Sequence, residues 1–179
     1  MTAIVAIADG KNVWMGADSA GTTLNFAIET RRDPKIFAKG DFLVGYAHSF
    51  RVGQILEYLF DPPPLAVGED AMEYMIRQFV PHMRQCLHEH GSCDERATEF
   101  GGAALIGWNG DIFSIENDFH VGRVDTGYQA TGSGYDIAMG SLYSTDGTDM
   151  LPETRIELAL NAAEAFNASV RSPFRIFKI

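Results

Sequence analysis

The chain has 179 residues, 46% of them hydrophobic and 21% charged, with a formal net charge of −10, the makeup of one globular domain (1–179) able to bury its own core without staples. That charge argues against nucleic acid and anionic membranes as partners, because phosphates are met by Lys and Arg patches, and no apolar run approaches the roughly 18–20 residues of a membrane helix. Two cysteines build no disulfide framework, and the start carries no basic and apolar signal segment, so the expectation is a cytoplasmic protein without a leader.

The first predicted element is a hairpin. Ala3-Ile4-Val5-Ala6-Ile7-Ala8 and Val13-Trp14-Met15-Gly16-Ala17 flank Asp9-Gly10-Lys11-Asn12, and Asp-Gly tolerates the positive φ of a tight turn. Ala20 to Asp33 is polar and reads as a crossing loop. Pro34 then forbids helix before it, and Lys35-Ile36-Phe37-Ala38 and Phe42-Leu43-Val44-Gly45-Tyr46-Ala47 form a second hairpin around Lys39-Gly40-Asp41. Ser49 is a plausible N-cap for a helix carrying Val52, Ile55, Leu56 and Leu59, stopped by Asp61-Pro62-Pro63-Pro64. A long amphipathic helix follows from about Glu69 to His90, with a kink or break expected at Pro81.

Within Cys86-Leu87-His88-Glu89-His90-Gly91-Ser92-Cys93 thiols and imidazoles cluster, which invites a zinc site. Cys86 and His90 lie one turn apart with His88 facing away, whereas a closed site needs convergent ligands. The stretch reads instead as a solvated helix C-terminus ended by Gly91. After a loop to Gly101, strands Ala103–Trp108 and Asp111–Ile115 turn at Asn109-Gly110. Further strands are expected at Phe119–Val124 and Tyr128–Thr131, then a helix after Gly132-Ser133-Gly134, a second helix from Pro152, and a last strand at Phe174–Ile179. Strands, helices, strands, helices and a strand fit two antiparallel sheets with helices outside them, an α+β, four-layer αββα sandwich.

A buried strand that starts at residue 2 needs something to tie it down, and an active site at Thr2 is one reason. A threonine hydroxyl is a weak nucleophile until a base takes its proton. A terminal α-amine, with a pKa of about 7.7–8.0, is such a base. Aminopeptidases remove an initiator Met that precedes a small residue, so the expected mature chain begins at Thr2.

Thr2-Ala3-Ile4-Val5, Gly16-Ala17-Asp18-Ser19, Lys35-Ile36-Phe37, Leu43-Val44-Gly45 and Gly132-Ser133-Gly134 before a helix resemble, in order, the landmarks of proteasome β-type peptidases and their bacterial relatives HslV and Anbu, which are N-terminal-nucleophile hydrolases. The resemblance covers nearly the whole chain and implies the same αββα sandwich. It makes Thr2 the nucleophile, Lys35 the cation that lowers the hydroxyl pKa, and Asp18 the carboxylate orienting Lys35, with Arg32 the rival to Lys35. It makes Gly45 the oxyanion donor and Ser133 the relay beside the α-amine. Where the family places an aspartate and then a serine, this chain has Asn167 and Val170, with Ser169 adjacent. Asn167 is the candidate to accept a hydrogen bond from Ser133 or Thr2. Leu43, Ala47 and Arg51 would line the first specificity pocket, Arg51 favouring an acidic side chain.

The implied function is a threonine endopeptidase without metal or organic cofactor. It would act on unfolded polypeptide or peptide inside a homo-oligomeric ring or helical assembly, with an ATP-dependent unfoldase as a possible partner. A non-catalytic subunit that keeps the sandwich, and an amidohydrolase acting on a small amide, are the rival readings.

Overall fold

The computed structural model describes residues 2–23, 27–65 and 68–179. The first hairpin forms as expected, β1 (Ile4–Ala8) against β2 (Val13–Ala17). Its turn is held by the Asp9 carboxylate, which accepts from the amides of Lys11 (2.9 Å) and Asn12 (2.7 Å). The stretch that reads as a crossing loop instead contains β3 (Ala20–Thr22) and β4 (Ile28–Thr30), a separate two-stranded ribbon. The Arg31 amide donates to the Ser19 carbonyl (2.8 Å), extending that pairing toward β2; polar composition hid a ribbon of three-residue strands whose second strand is exposed.

Next come β5 (Ile36–Lys39) and β6 (Phe42–Ala47). Helix α1 (Phe50–Tyr58) is capped by Ser49, whose hydroxyl accepts from Val52 N. The long second helix starts at α2 (Ala71–Tyr74), capped by Asp70, and passes through a π-helical turn at Met75–Phe79 into α3 (Val80–Glu89). The irregularity expected at Pro81 thus sits one turn earlier, and the helix continues across the proline. The wider turn keeps Tyr74, Met75, Phe79, Val80 and Met83 all buried against the sheet. The helix ends as expected: Gly91 N donates to His88 O (3.1 Å) and Ser92 N to Leu87 O (2.8 Å), a Schellman motif. Cys86 and Cys93 are free thiols, and among the described residues no group of three or more His, Cys, Asp or Glu side chains is placed to hold a metal.

Strands β7 (Ala103–Trp108), β8 (Asp111–Ile115), β9 (Val121–Arg123) and β10 (Tyr128–Thr131) precede α4 (Tyr135–Ser144), α5 (Pro152–Phe166) and β11 (Arg175–Lys178). β9 is shorter than expected because Phe119 lies in a turn at φ 67. One sheet runs β10-β1-β2-β11 and the other β5-β6-β7-β8-β9.

Three apolar clusters fix the layers. Ile4, Met15, Ile36, Leu43 and Leu105 fill the space between the sheets; Val5, Ala138, Leu142, Ile156 and Leu160 lie under α4 and α5; Val44, Ile55, Phe79, Met83 and Ile106 lie under α1 to α3. The order is helices, sheet, sheet, helices, with each buried Leu, Ile or Phe stabilising by about 1.5–3 kcal/mol. No helix among the described residues is long and apolar enough to cross a membrane.

Gly45 sets how closely the sheets approach. A Cβ there would stand 2.6 Å from Met15 Sδ and 2.7 Å from Ile4 Cγ2. Gly45→Ala is therefore expected to destabilise by about 1–3 kcal/mol through overpacking, measured by urea unfolding. A change below about 0.5 kcal/mol would show that the sheets have room to part.

Candidate active site

The site forms where the start of β1, the end of β2, the start of β5 and the β10–α4 turn meet. Thr2, Asp18 and Lys35 are 4%, 2% and 2% exposed, so three polar side chains are held in a core that tolerates them only when they are paired. Asp18 follows β2, and its carboxylate organises the rest. Oδ1 accepts from Ala3 N (3.0 Å) and from Lys35 Nζ (2.6 Å); Oδ2 accepts from Ala20 N (2.9 Å) and Arg171 N (3.2 Å). One oxygen thus gathers the peptide next to Thr2 and the ammonium of Lys35. Burial pushes the Lys35 ammonium below the ordinary lysine pKa, and Asp18 pulls the other way. Arg32, the rival cation, is exposed, and it is Lys35 that meets Asp18.

Thr2 N donates to Ser133 Oγ at 3.1 Å, and Gly134 N donates to Thr2 O at 3.1 Å. Gly132, at φ 93, makes the approach possible: a Cβ there would be 2.2 Å from Thr2 O. Ser133 is not a helix cap, since α4 starts from Gly134 without a side-chain cap; its hydroxyl is turned to Thr2. Met1, which precedes Thr2 in the sequence, lies outside the described residues.

Several expected roles change. Asn167 does not accept from Ser133. Its Nδ2 donates to the Ser133 carbonyl (2.6 Å) while its Oδ1 accepts from Ser169 N (2.9 Å), so it clamps the peptide of Ser133 and leaves the hydroxyl to Thr2. An aspartate there would set an oxygen against that carbonyl, which is why an amide suits the position. Val170 is fully buried under α4 and α5, where a hydroxyl would need a partner.

Gly45 cannot supply an oxyanion donor. Tyr46 N donates to Lys35 O (3.1 Å) on the β5 side, and successive residues of a strand present their N–H groups to opposite neighbours. Gly45 therefore aims its N–H at β7, opposite Leu105, inside the ladder. Of the expected specificity residues, Leu43 is buried between the sheets, Ala47 is fully buried, and Arg51 donates to His90 O (3.5 Å) across the helical layer. Beside Lys35 stand Phe50, with Lys35 Nζ 6.0 Å from its ring centroid, and Arg31, 4.1 Å over the same ring and paired with Asp33 at 2.7 Å.

His48 is the residue that periodicity misses. It sits between β6 and the Ser49 cap at φ 78, with Ser49 N donating to Ala47 O (3.2 Å) in a γ-turn, a rare and strained geometry. The available signal was positional: a single residue must turn the chain from a strand end to a helix cap. His48 also lines a cleft of about 320 Å³ with Ser114, Glu116, Gln129, Gly132 and Tyr135, next to the wall that touches Thr2.

No protein-family model matches this sequence, and no curated protein matches it significantly. Solved structures do match. BPH of Thiobacillus denitrificans in complex with epoxomicin superposes with a TM-score of 0.84 at 20% identity, covering 99% of this chain and 98% of that one. HslV of Trypanosoma brucei gives 0.72 at 16% identity, over 99% and 98%. Anbu, the ancestral beta-subunit of Yersinia bercovieri, gives 0.70 at 18% identity, over 99% and 81%. At these identities the likeness is one of fold, and the fold is that of the proteasome-like N-terminal-nucleophile hydrolases, the one implied by the order of Thr2, Asp18, Lys35 and Ser133 along the chain.

Proposed function

We propose that the chain is a threonine-type N-terminal-nucleophile peptidase, acting on unfolded polypeptide or peptide within a homo-oligomeric ring or helical assembly. The observation that carries this reading is the Thr2 nitrogen set 3.1 Å from Ser133 Oγ, beside a buried Asp18–Lys35 pair at 2.6 Å. Once Met1 is removed, that nitrogen becomes an α-amine. It takes the Thr2 hydroxyl proton, directly or through water, as Oγ attacks the substrate carbonyl carbon. Lys35 stabilises the developing alkoxide, and its charge keeps the α-amine neutral beforehand. The His48 amide, beyond the end of the β6 ladder, takes the oxyanion role that Gly45 cannot fill. When the C–N bond breaks, the α-ammonium returns the proton to the leaving nitrogen, and water then hydrolyses the Thr2 ester. Ser133 orients the amine, and Asn167 holds Ser133.

The test is the intact mass of the purified protein with and without a peptide epoxyketone, the reagent class that bonds to both the hydroxyl and the amine of a terminal threonine. Loss of Met1 and a gain of one inhibitor mass are expected. A Met1-free protein that stays unmodified overturns the peptidase reading in favour of a non-catalytic subunit of the same fold. The epoxomicin-bound state of the similar BPH structure supports the choice of reagent.

A further inference from the structure

We infer that the cleft beside Gly132 is a leaving-group subsite that selects cationic side chains through Glu116. The inference rests on the peptidase reading and adds to it the charge of the preferred substrate.

The side of the cleft follows from the proton. The leaving nitrogen must come within reach of the Thr2 α-ammonium as the C–N bond breaks, because that group supplies its proton. The Thr2 nitrogen faces Ser133 Oγ, and Ser133 is flanked by Gly132, which forms part of the cleft wall. The acyl half stays on the Thr2 hydroxyl, and the departing half lies toward Gly132. The cleft is therefore placed to hold the residues that follow the scissile bond.

Its charge follows from pairing. Asp111 is paired with Arg123 at 2.6 Å, and Asp118 Oδ1 has a hydrogen-bond partner in His120 Nδ1 at 2.9 Å. Glu116, just beyond the end of β8, has no hydrogen bond or ion pair to its carboxylate among the described residues, and it is the one carboxylate lining the cleft. The basic side chain among the described lining residues is the imidazole of His48, and neither lysine nor arginine is there. Tyr135, Gln129 and Ser114 add hydrogen-bonding groups to the walls. An ammonium or guanidinium entering there gains a partner without displacing one, whereas a carboxylate meets an uncompensated like charge.

Internally quenched peptides that differ only in Lys, Gln or Glu after the scissile bond test this with wild type, Glu116→Gln and Glu116→Lys. The ratio of rates between peptides does not depend on how much of each variant is folded. The expected wild-type ratio of kcat/KM for Lys over Glu is on the order of ten, from an ion pair and a like-charge contact in a partly open cleft. Glu116→Gln should bring it to about one to two, and Glu116→Lys should invert it. A wild-type ratio near one, or a preference that survives both substitutions, overturns the subsite while leaving the peptidase intact. Cleavage of none of the peptides, by protein shown to lack Met1, overturns the peptidase reading and the subsite together.

Discussion

Thr2→Ala should lower kcat/KM for any cleaved peptide by about 10⁴-fold or more and abolish the epoxyketone adduct, with little loss of stability. The scale is that of deleting the nucleophile from a catalytic set acting as a unit, where removing one member costs nearly as much as removing all. In the proposed mechanism the α-amine, Ser133, Lys35 and Asp18 all act through one hydroxyl, so none of them can replace it. The fold should survive because what secures the strand's start is backbone: Ala3 N on Asp18, Asp18 N on Ala3 O (3.2 Å) and Gly134 N on Thr2 O. Thr2→Ser keeps the hydroxyl and should keep measurable activity. Matching protein preparations by circular dichroism and assaying peptide cleavage checks both variants. A Thr2→Ala rate within tenfold of wild type would mean that another group does the chemistry.

Most of the layered fold was legible because its signals are local. Apolar alternation, Asp-Gly and Asn-Gly turns and the Ser49 cap each depend on a few neighbouring residues. The β3–β4 ribbon was not legible, since its strands are three residues long and β4 is exposed along its whole length. The site divided the same way. Thr2, Asp18, Lys35 and Ser133 were readable from their order in the chain, and the structure gathers all four. Gly45 and His48 were not, because which amide escapes the ladder depends on hydrogen-bond phase. That phase is fixed only when β6 pairs with β5 on one side and β7 on the other. Asn167 shows a third kind of limit: its role is set by a carbonyl 34 residues away in the sequence.

Breaking the buried ion pair should give a large stability effect and a pH signature with it. Asp18→Ala is expected to destabilise by about 3–5 kcal/mol, because it leaves the Lys35 ammonium buried without its counter-charge and frees the backbone amides of Ala3, Ala20 and Arg171 that the carboxylate binds. For a chain of this size that is roughly a 6–20 °C fall in Tm. Lys35→Met in the same background should recover part of the loss by removing the stranded charge. Burial holds the folded pKa of Lys35 below its ordinary value of 10.5. Between the folded value and 10.5 the unfolded chain therefore binds more protons, and stability rises with pH. Deleting Asp18 removes the carboxylate that supports the charged form, so the folded pKa drops further and the rising interval reaches lower pH. Urea unfolding at pH 7, 8 and 9 should then show Asp18→Ala gaining stability relative to wild type as pH increases, and Asp18→Ala/Lys35→Met showing no such gain. Parallel pH profiles for wild type and Asp18→Ala would mean that Lys35 finds another partner or reaches water when Asp18 is gone.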